Sequence, residues 1–115
     1  MDLTELFKVE WKTDDYAVLA TDFWKTLVMN SAASKTFTLP AVIAANVSLA
    51  VTLVKRGAGK LTIQASGADT INDSSAGGTL YNDLAEETFA VVRLCVIAAG
   101  SWIIDHFTGS GWRTS

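Results

Sequence analysis

The chain has 115 residues, a formal net charge of −3 at pH 7, and 50% hydrophobic against 18% charged residues. This length fits one domain, and the apolar content exceeds what a small monomer needs, which predicts a subunit interface. No cluster of basic residues is larger than the pair Lys55 and Arg56, so we expect no nucleic-acid partner. The single Cys95 allows no disulfide within the chain.

Two apolar segments, 41–54 and 89–104, have to be tested as membrane spans. The first is shorter than the roughly twenty residues that a spanning helix needs. The second carries Arg93, and an arginine at the centre of a span costs roughly 2.5–3.5 kcal/mol. We therefore interpret both as buried strands and predict no membrane span. The acidic N-terminus lacks the features of a secretory signal.

The first half of the chain predicts short strands separated by turns. Residues 1–14 form an N-terminal arm, which fits either a helical turn that begins at Thr4 or a strand that includes Val9 and Trp11. Alternating apolar residues and turn signals then predict strands at 16–21, 23–29 and 35–39. Pro40 ends the third of these strands, because proline donates no backbone hydrogen bond.

The second half repeats this pattern with more apolar strands. A strand at 47–54 is followed by the glycine-containing turn 55–59, and 61–65 is predicted to pair back as its hairpin partner. A short strand at 70–71 precedes the polar loop 72–78. Residues 89–98 are apolar on both faces, which predicts a strand buried on both sides. The last clear strand is 102–105.

This pattern predicts an all-β fold: a compact β-sandwich or a barrel-like antiparallel domain. The β domain spans residues 15–107, and residues 108–115 form a flexible C-terminal tail. A short N-terminal helical turn is compatible with this organisation.

Motifs that carry chemistry are weak. The segment 57–60, Gly-Ala-Gly-Lys, resembles a phosphate loop, but a leucine and a strand follow it, so a turn fits better. Three polar clusters remain, and each fits a solvated turn or strand end better than a catalytic or metal site: Asp105 and His106; Asp69, Asn72 and Asp73; Asp83, Glu86 and Glu87. We predict no enzyme activity, no metal and no cofactor.

Four tryptophans are many for so short a chain: Trp11, Trp24, Trp102 and Trp112. Tryptophan offers a large rigid contact area with one polar group, so it is enriched at interfaces and on sugar-binding surfaces. We expect Trp102, which is followed by two isoleucines, to lie in the core. Trp24 and Trp112 are the candidate binding residues, as a subunit interface or as a platform for a ligand.

Several segments together resemble a small β domain of tailed-phage tail fibres and other virion proteins. The resemblance rests on Thr-Phe-Thr-Leu-Pro at 36–40, Gly-Ala-Gly-Lys-Leu-Thr-Ile at 57–63, Gly-Ala-Asp-Thr-Ile at 67–71, and Trp-Ile-Ile at 102–104. It covers roughly residues 15–105. The chain departs from the family pattern in its own N-terminal segment and in its unusually apolar strand before Trp102.

The resemblance implies a non-catalytic module of a phage or prophage virion, either structural or for host recognition. It implies a homo-oligomer, often a trimer, on the exterior of the tail or capsid, with other virion proteins or a host-surface glycan as partners. We expect the chain to be soluble when expressed alone. The alternative is a lectin-like β domain that binds carbohydrate through exposed tryptophan, and a small enzyme that uses Glu86 or Glu87 is a third hypothesis.

Overall fold

A computed structural model describes residues 8–73 and 77–114. Strands dominate it, which confirms the all-β prediction. The helical segments among the described residues are two 3-10 turns, Ala20–Asp22 and Ala44–Asn46. The helical turn predicted at Thr4 and part of the predicted loop 72–78 lie outside the described residues.

Within the described residues, eleven strands form two sheets. The six-stranded sheet contains, in spatial order, β1 (Val9–Lys12), β3 (Thr26–Met29), β5 (Ala50–Lys55), β9 (Ala90–Ala98), β10 (Ser101–Phe107) and β7 (Thr70–Ile71). The five-stranded sheet contains β11 (Trp112–Thr114), β8 (Thr79–Asn82), β6 (Leu61–Gln64), β4 (Lys35–Thr38) and β2 (Tyr16–Ala17).

The first six strands alternate between the two sheets. Odd-numbered strands enter the six-stranded sheet and even-numbered strands the five-stranded one, and each pairs in parallel with the strand two positions along the chain. Strands β8, β9, β10 and β11 add in antiparallel fashion, and β10 in addition pairs in parallel with β7. The prediction of an antiparallel domain is therefore wrong for the first half of the chain, because each connection carries the chain across to the other sheet.

The hairpin predicted from 47–54 and 61–65 is wrong for the same reason. β5 pairs with β3 and β9, whereas β6 pairs with β4 and β8. The turn between β5 and β6 lies against the preceding connection: the Gly59 N–H donates to Ser31 O at 3.0 Å, and the Arg56 N–H donates to Met29 O at 3.0 Å. Successive turns thus stack on each other.

Side chains from both sheets form one hydrophobic core. Trp102 is fully buried there and stacks on Phe23, with the ring centroids 6.0 Å apart, so its predicted core position is confirmed. Further fully buried large side chains come from both sheets, among them Leu27, Leu53, Ile71 and Leu94 from the first and Phe37, Leu61, Ile63 and Leu80 from the second.

Strand β9 differs from the prediction that both of its faces are buried. Ala90, Val92, Leu94 and Val96 face the core, but Arg93 and Ile97 on the opposite face are exposed. The hydrophobic pattern correctly placed alternate residues on two faces. The pattern does not predict that the face of β9 with Arg93 and Ile97 lacks a covering layer within the described part of this chain.

Both ends of the described chain contribute edge strands. β1, from the segment predicted as an N-terminal arm, pairs with β3, and β11, from the predicted C-terminal tail, pairs with β8. Among the described residues, no helix is long and apolar enough to cross a bilayer.

Candidate functional site

The outer face of the six-stranded sheet, which is turned away from the core, carries two cross-strand rows. The polar row contains Thr26, Thr52 and Arg93, which are neighbours in register on β3, β5 and β9. The apolar row contains Trp11, Val28, Val54 and Val91 on β1, β3, β5 and β9. Because side chains alternate between the two faces of a strand, both rows point the same way.

A cavity of about 160 Å³ lies on the polar row. We call it the Trp24 groove, and it is lined by Trp24, Thr26, Ala50, Thr52 and Arg93. The structure therefore brings one of the two predicted binding tryptophans together with two threonines and an arginine from three different strands. Sequence reasoning identified Trp24 alone, because its companions come from distant parts of the chain.

The backbone of Trp24 has a conformation that few residues with a side chain adopt. Its φ is +70°, in the left-handed region. Its N–H donates to Ala50 O at 2.6 Å, which ties it to β5. The side chain is 40% exposed. Strained residues of this kind occur preferentially at functional sites, because the surrounding structure must hold them in place.

A buried carboxylate holds the segment that leads to Trp24. The side chain of Asp22 accepts hydrogen bonds from three donors: the Tyr16 hydroxyl at 2.7 Å, the Leu19 N–H at 2.9 Å and Lys25 Nζ at 3.3 Å. Burial alone would raise the pKa of Asp22, but these donors outweigh burial and hold that pKa below its usual value. Burial and the Asp22 carboxylate raise the pKa of Tyr16 to about 12.

An ion pair sets the charge beside the groove. Arg93 Nε lies 3.0 and 3.2 Å from the two carboxylate oxygens of Asp105 on β10. The negative charge of Asp105 thus offsets the positive charge of Arg93. Of the predicted Asp105 and His106 cluster, Asp105 pairs with Arg93. His106, the next residue on β10, is exposed.

The second predicted binding residue, Trp112, lies in a different cavity. Its Nε1 donates to Thr108 O at 2.9 Å, and its ring packs partly against the core. The cavity has a volume of about 150 Å³ and a mainly apolar lining: Leu80, Val92, Ile104, Phe107, Trp112 and Thr114. Trp24 and Trp112 therefore do not form one joint platform.

Next to the groove, the apolar row and its neighbours expose large hydrophobic side chains. Val9, Trp11 and Phe89 are 54%, 58% and 65% exposed. The Arg56 guanidinium lies over the Phe89 ring, 4.4 Å from its centroid. We call this surface the apolar patch, and it consists of the exposed Val9, Trp11 and Phe89 and the half-buried Val91.

The remaining polar clusters hold loops together. Asp69 accepts a hydrogen bond from the Val42 N–H at 3.1 Å, and Asn72 accepts one from the Ile104 N–H at 2.9 Å.

Lys55, predicted in a turn, is instead the buried last residue of β5. It donates to three carbonyl oxygens, those of Gly57, Leu84 and Glu87. Among residues 8–73 and 77–114, no group of three or more acidic, histidine or cysteine side chains could hold a metal ion.

Glu87, from the acidic cluster, joins the segment that follows β8 to the segment that precedes β11. Its carboxylate accepts hydrogen bonds from four donors: Asn82 Nδ2 at 2.7 Å, the Ser110 N–H at 2.8 Å, the Ser110 hydroxyl at 3.0 Å and the Gly111 N–H at 3.1 Å. The Asn82 amide and these other donors lower the pKa of Glu87 to about 2. The residue thus has a structural role in the folded chain.

This low pKa predicts a pH-dependent contribution to stability. An unfolded glutamate titrates near pH 4.3, so the contribution of Glu87 should be complete above that pH and lost as the pH falls towards 2. We expect the difference in unfolding free energy between the wild type and Glu87→Gln, from denaturant titrations at pH 2 to 7, to shrink over this window. A difference that is constant across the window would contradict the role of the carboxylate.

Neither a scan of protein-family models nor a search of curated protein sequences found a match to this chain.

Proposed function

We propose that this chain is a non-catalytic structural or host-recognition module of a phage or prophage virion, similar to tail-fibre domains, which acts through the assembly of identical copies. The observation that carries the proposal is the apolar patch. Three apolar side chains, Val9 and Trp11 of β1 and Phe89 just before β9, are each more than half exposed.

Such a patch is a natural subunit interface. Soluble monomers rarely expose contiguous apolar surfaces larger than a few hundred Å², and covering apolar surface contributes about 25 cal/mol per Å². Val28 and Val54 lie between Trp11 and Val91 in register and are themselves buried, at 6% and 8% exposure, so the side chains that a partner would cover are Val9, Trp11 and Phe89. In a closed homotrimer each copy would cover part of its neighbour's patch, as in the symmetric assemblies that most oligomers form.

The edges of the sheets add a second surface for assembly. Within the described residues, no strand pairs with the outer side of β1 or of β2. Free edges template pairing with other chains unless they are covered, and an oligomer can cover them. In our proposal the two sheets pack as a β-sandwich whose edges are protected in the assembly.

Four residues from the segments that carry the resemblance lie in the core of the fold. Phe37 and Ile63 are neighbours in register on β4 and β6, and Ile71 and Trp102 are neighbours on β7 and β10. All four side chains are fully buried. In our proposal these buried residues belong to an architecture shared with tail-fibre domains, and the exposed residues determine the partner.

Sedimentation equilibrium tests the assembly. We expect the wild-type chain to form a trimer at micromolar concentrations and Trp11→Glu, which places a charge in the patch, to weaken association by at least roughly tenfold. Ile43→Glu is the matched control, because Ile43 is 61% exposed but lies outside the patch. A wild-type chain that remains monomeric, or equal effects of the two substitutions, would contradict the proposal.

The virion assignment has a separate test. We expect the genes on either side of this one to encode tail or capsid proteins. If the neighbouring genes have unrelated functions and the chain still forms a stable oligomer, the assembly proposal stands and the virion assignment is wrong.

A further inference from the structure

We infer that the Trp24 groove binds a neutral saccharide, with one sugar ring stacked on the indole of Trp24. This inference goes beyond assembly, because the groove is complete within one copy of the chain. Its lining residues come from β3, β5, β9 and the segment before β3.

The backbone that carries the aromatic wall of the groove is held in place by the chain itself. The left-handed φ of Trp24, its N–H bond to Ala50 O and the Asp22 network just before it define where the backbone of Trp24 lies. The Trp24 residue remains 40% exposed. A partly exposed indole provides the flat apolar surface on which the C–H face of a sugar can pack.

Hydrogen-bonding groups opposite the indole are available to a ligand. Within residues 8–73 and 77–114, the side-chain hydroxyls of Thr26 and Thr52 make no hydrogen bond, and Arg93 uses only Nε, towards Asp105. The terminal nitrogens of Arg93 can donate, and each threonine hydroxyl can donate and accept. This set of donors and acceptors matches the hydroxyl groups of a sugar ring.

The charge of the groove selects a neutral ligand. Asp105 compensates Arg93, so a sugar that carries a carboxylate would gain little from the arginine and would approach a second carboxylate. The volume of about 160 Å³ is below the roughly 300–1,000 Å³ typical of drug-sized ligand pockets. The groove therefore fits a single ring, and the rest of a glycan would stay in solvent.

The residues that line the Trp24 groove allow it to bind a sugar without cleaving it. Glycoside hydrolysis ordinarily uses two carboxyl groups on either side of the scissile bond. None of the five lining residues carries a carboxyl group, and the nearby Asp105 is paired with Arg93. The groove can hold a sugar, and it has no pair of acids with which to break one.

Titration followed by NMR tests this inference. The full chain, labelled with ¹⁵N, is titrated with methyl glycosides of glucose, galactose and mannose, with N-acetylglucosamine, and with glucuronic acid as the charged comparison. We expect at least one neutral sugar to shift the Trp24 indole signal and the amide signals of Thr26, Thr52 and Arg93. Glucuronic acid should bind more weakly.

Two substitutions and one control make the test specific. Trp24→Ala should weaken binding roughly tenfold or more. Thr52→Val, which removes a hydroxyl while keeping the shape, should weaken it about threefold to tenfold and provides the test if Trp24→Ala does not fold. Ile43→Ala should bind like the wild type. The inference is overturned if no neutral sugar shifts these signals, if glucuronic acid binds best, or if a folded groove variant retains full affinity.

The groove and the assembly can fail independently. Trp11→Glu should dissociate the copies and leave the sugar affinity of each copy unchanged, because Trp11 does not line the groove. A stable trimer that binds no sugar would remove only the groove inference. A monomer that binds sugar would remove only the assembly proposal.

Discussion

Replacing Gly57 with alanine is expected to remove a large part of the stability of this protein. A Cβ atom at position 57 would overlap the backbone oxygen of Ser31 and lie 2.5 Å from its backbone nitrogen. These are backbone atoms of the neighbouring turn, so no side-chain rotation relieves the contact. The stacked turns would have to separate, and we expect a loss of at least about 4 kcal/mol, a large part of the roughly 5–15 kcal/mol of a typical domain.

Chemical denaturation of Gly57→Ala and Gly67→Ala measures this effect against a matched control. Gly67 has a φ of +52°, but an added Cβ would meet nothing within 4 Å. Alanine there costs only the strain of the left-handed conformation, roughly 1–2 kcal/mol. If the two variants unfold at the same denaturant concentration, the close approach of the two turns is not a feature of the folded protein.

Trp102→Ala is expected to have the second largest effect. Trp102 is fully buried, lies opposite Val96 and Ile71 in register, and stacks on Phe23. Removing a buried tryptophan side chain leaves a cavity between the two sheets and costs about 3–5 kcal/mol. Denaturant unfolding monitored by circular dichroism measures the loss without relying on tryptophan fluorescence.

Trp102→Phe separates ring packing from the polar group of the indole. The indole N–H of Trp102 is buried and has no hydrogen-bond partner within the described part of the chain. Phenylalanine keeps a stacked ring and removes the unpaired donor, so we expect a cost of less than about 1.5 kcal/mol. A phenylalanine variant as unstable as the alanine variant would mean that the N–H has a partner after all.

The sequence predicts the strands of this fold better than their partners. The sequence predicts strands at 47–54 and 61–65, and the structure has strands at Ala50–Lys55 and Leu61–Gln64. Leu61 and Ile63 are buried as expected, whereas β5 buries residues on both of its faces. Alternation assigns faces, however, and the choice between a hairpin and a change of sheet depends on the path of the connection. Gly57 and Gly59 were consistent with a tight reversal, and in the structure they allow close contact with Ser31 and Ala33.

The candidate site was only partly predictable for a related reason. Trp24 is a binding candidate in the sequence only because tryptophan is abundant in this chain. No local pattern indicates that Arg93 or Thr52, which lie in two different apolar strands, belong to the same site. Their proximity depends on the register of β3, β5 and β9. Lys55 similarly looked like a turn residue, and its burial depends on three carbonyl groups that the fold collects from distant positions.

The alternation of the first six strands between two sheets also affects how the chain acquires its structure during synthesis. β1, β3 and β5 can pair as they emerge from the ribosome, since each needs only a strand made shortly before. The other edge of β5 must wait for Ala90–Ala98. Contacts between distant segments form slowly, so completion of both sheets should limit the folding rate. A nascent chain stalled before β9 should accordingly be more prone to aggregation than the released protein.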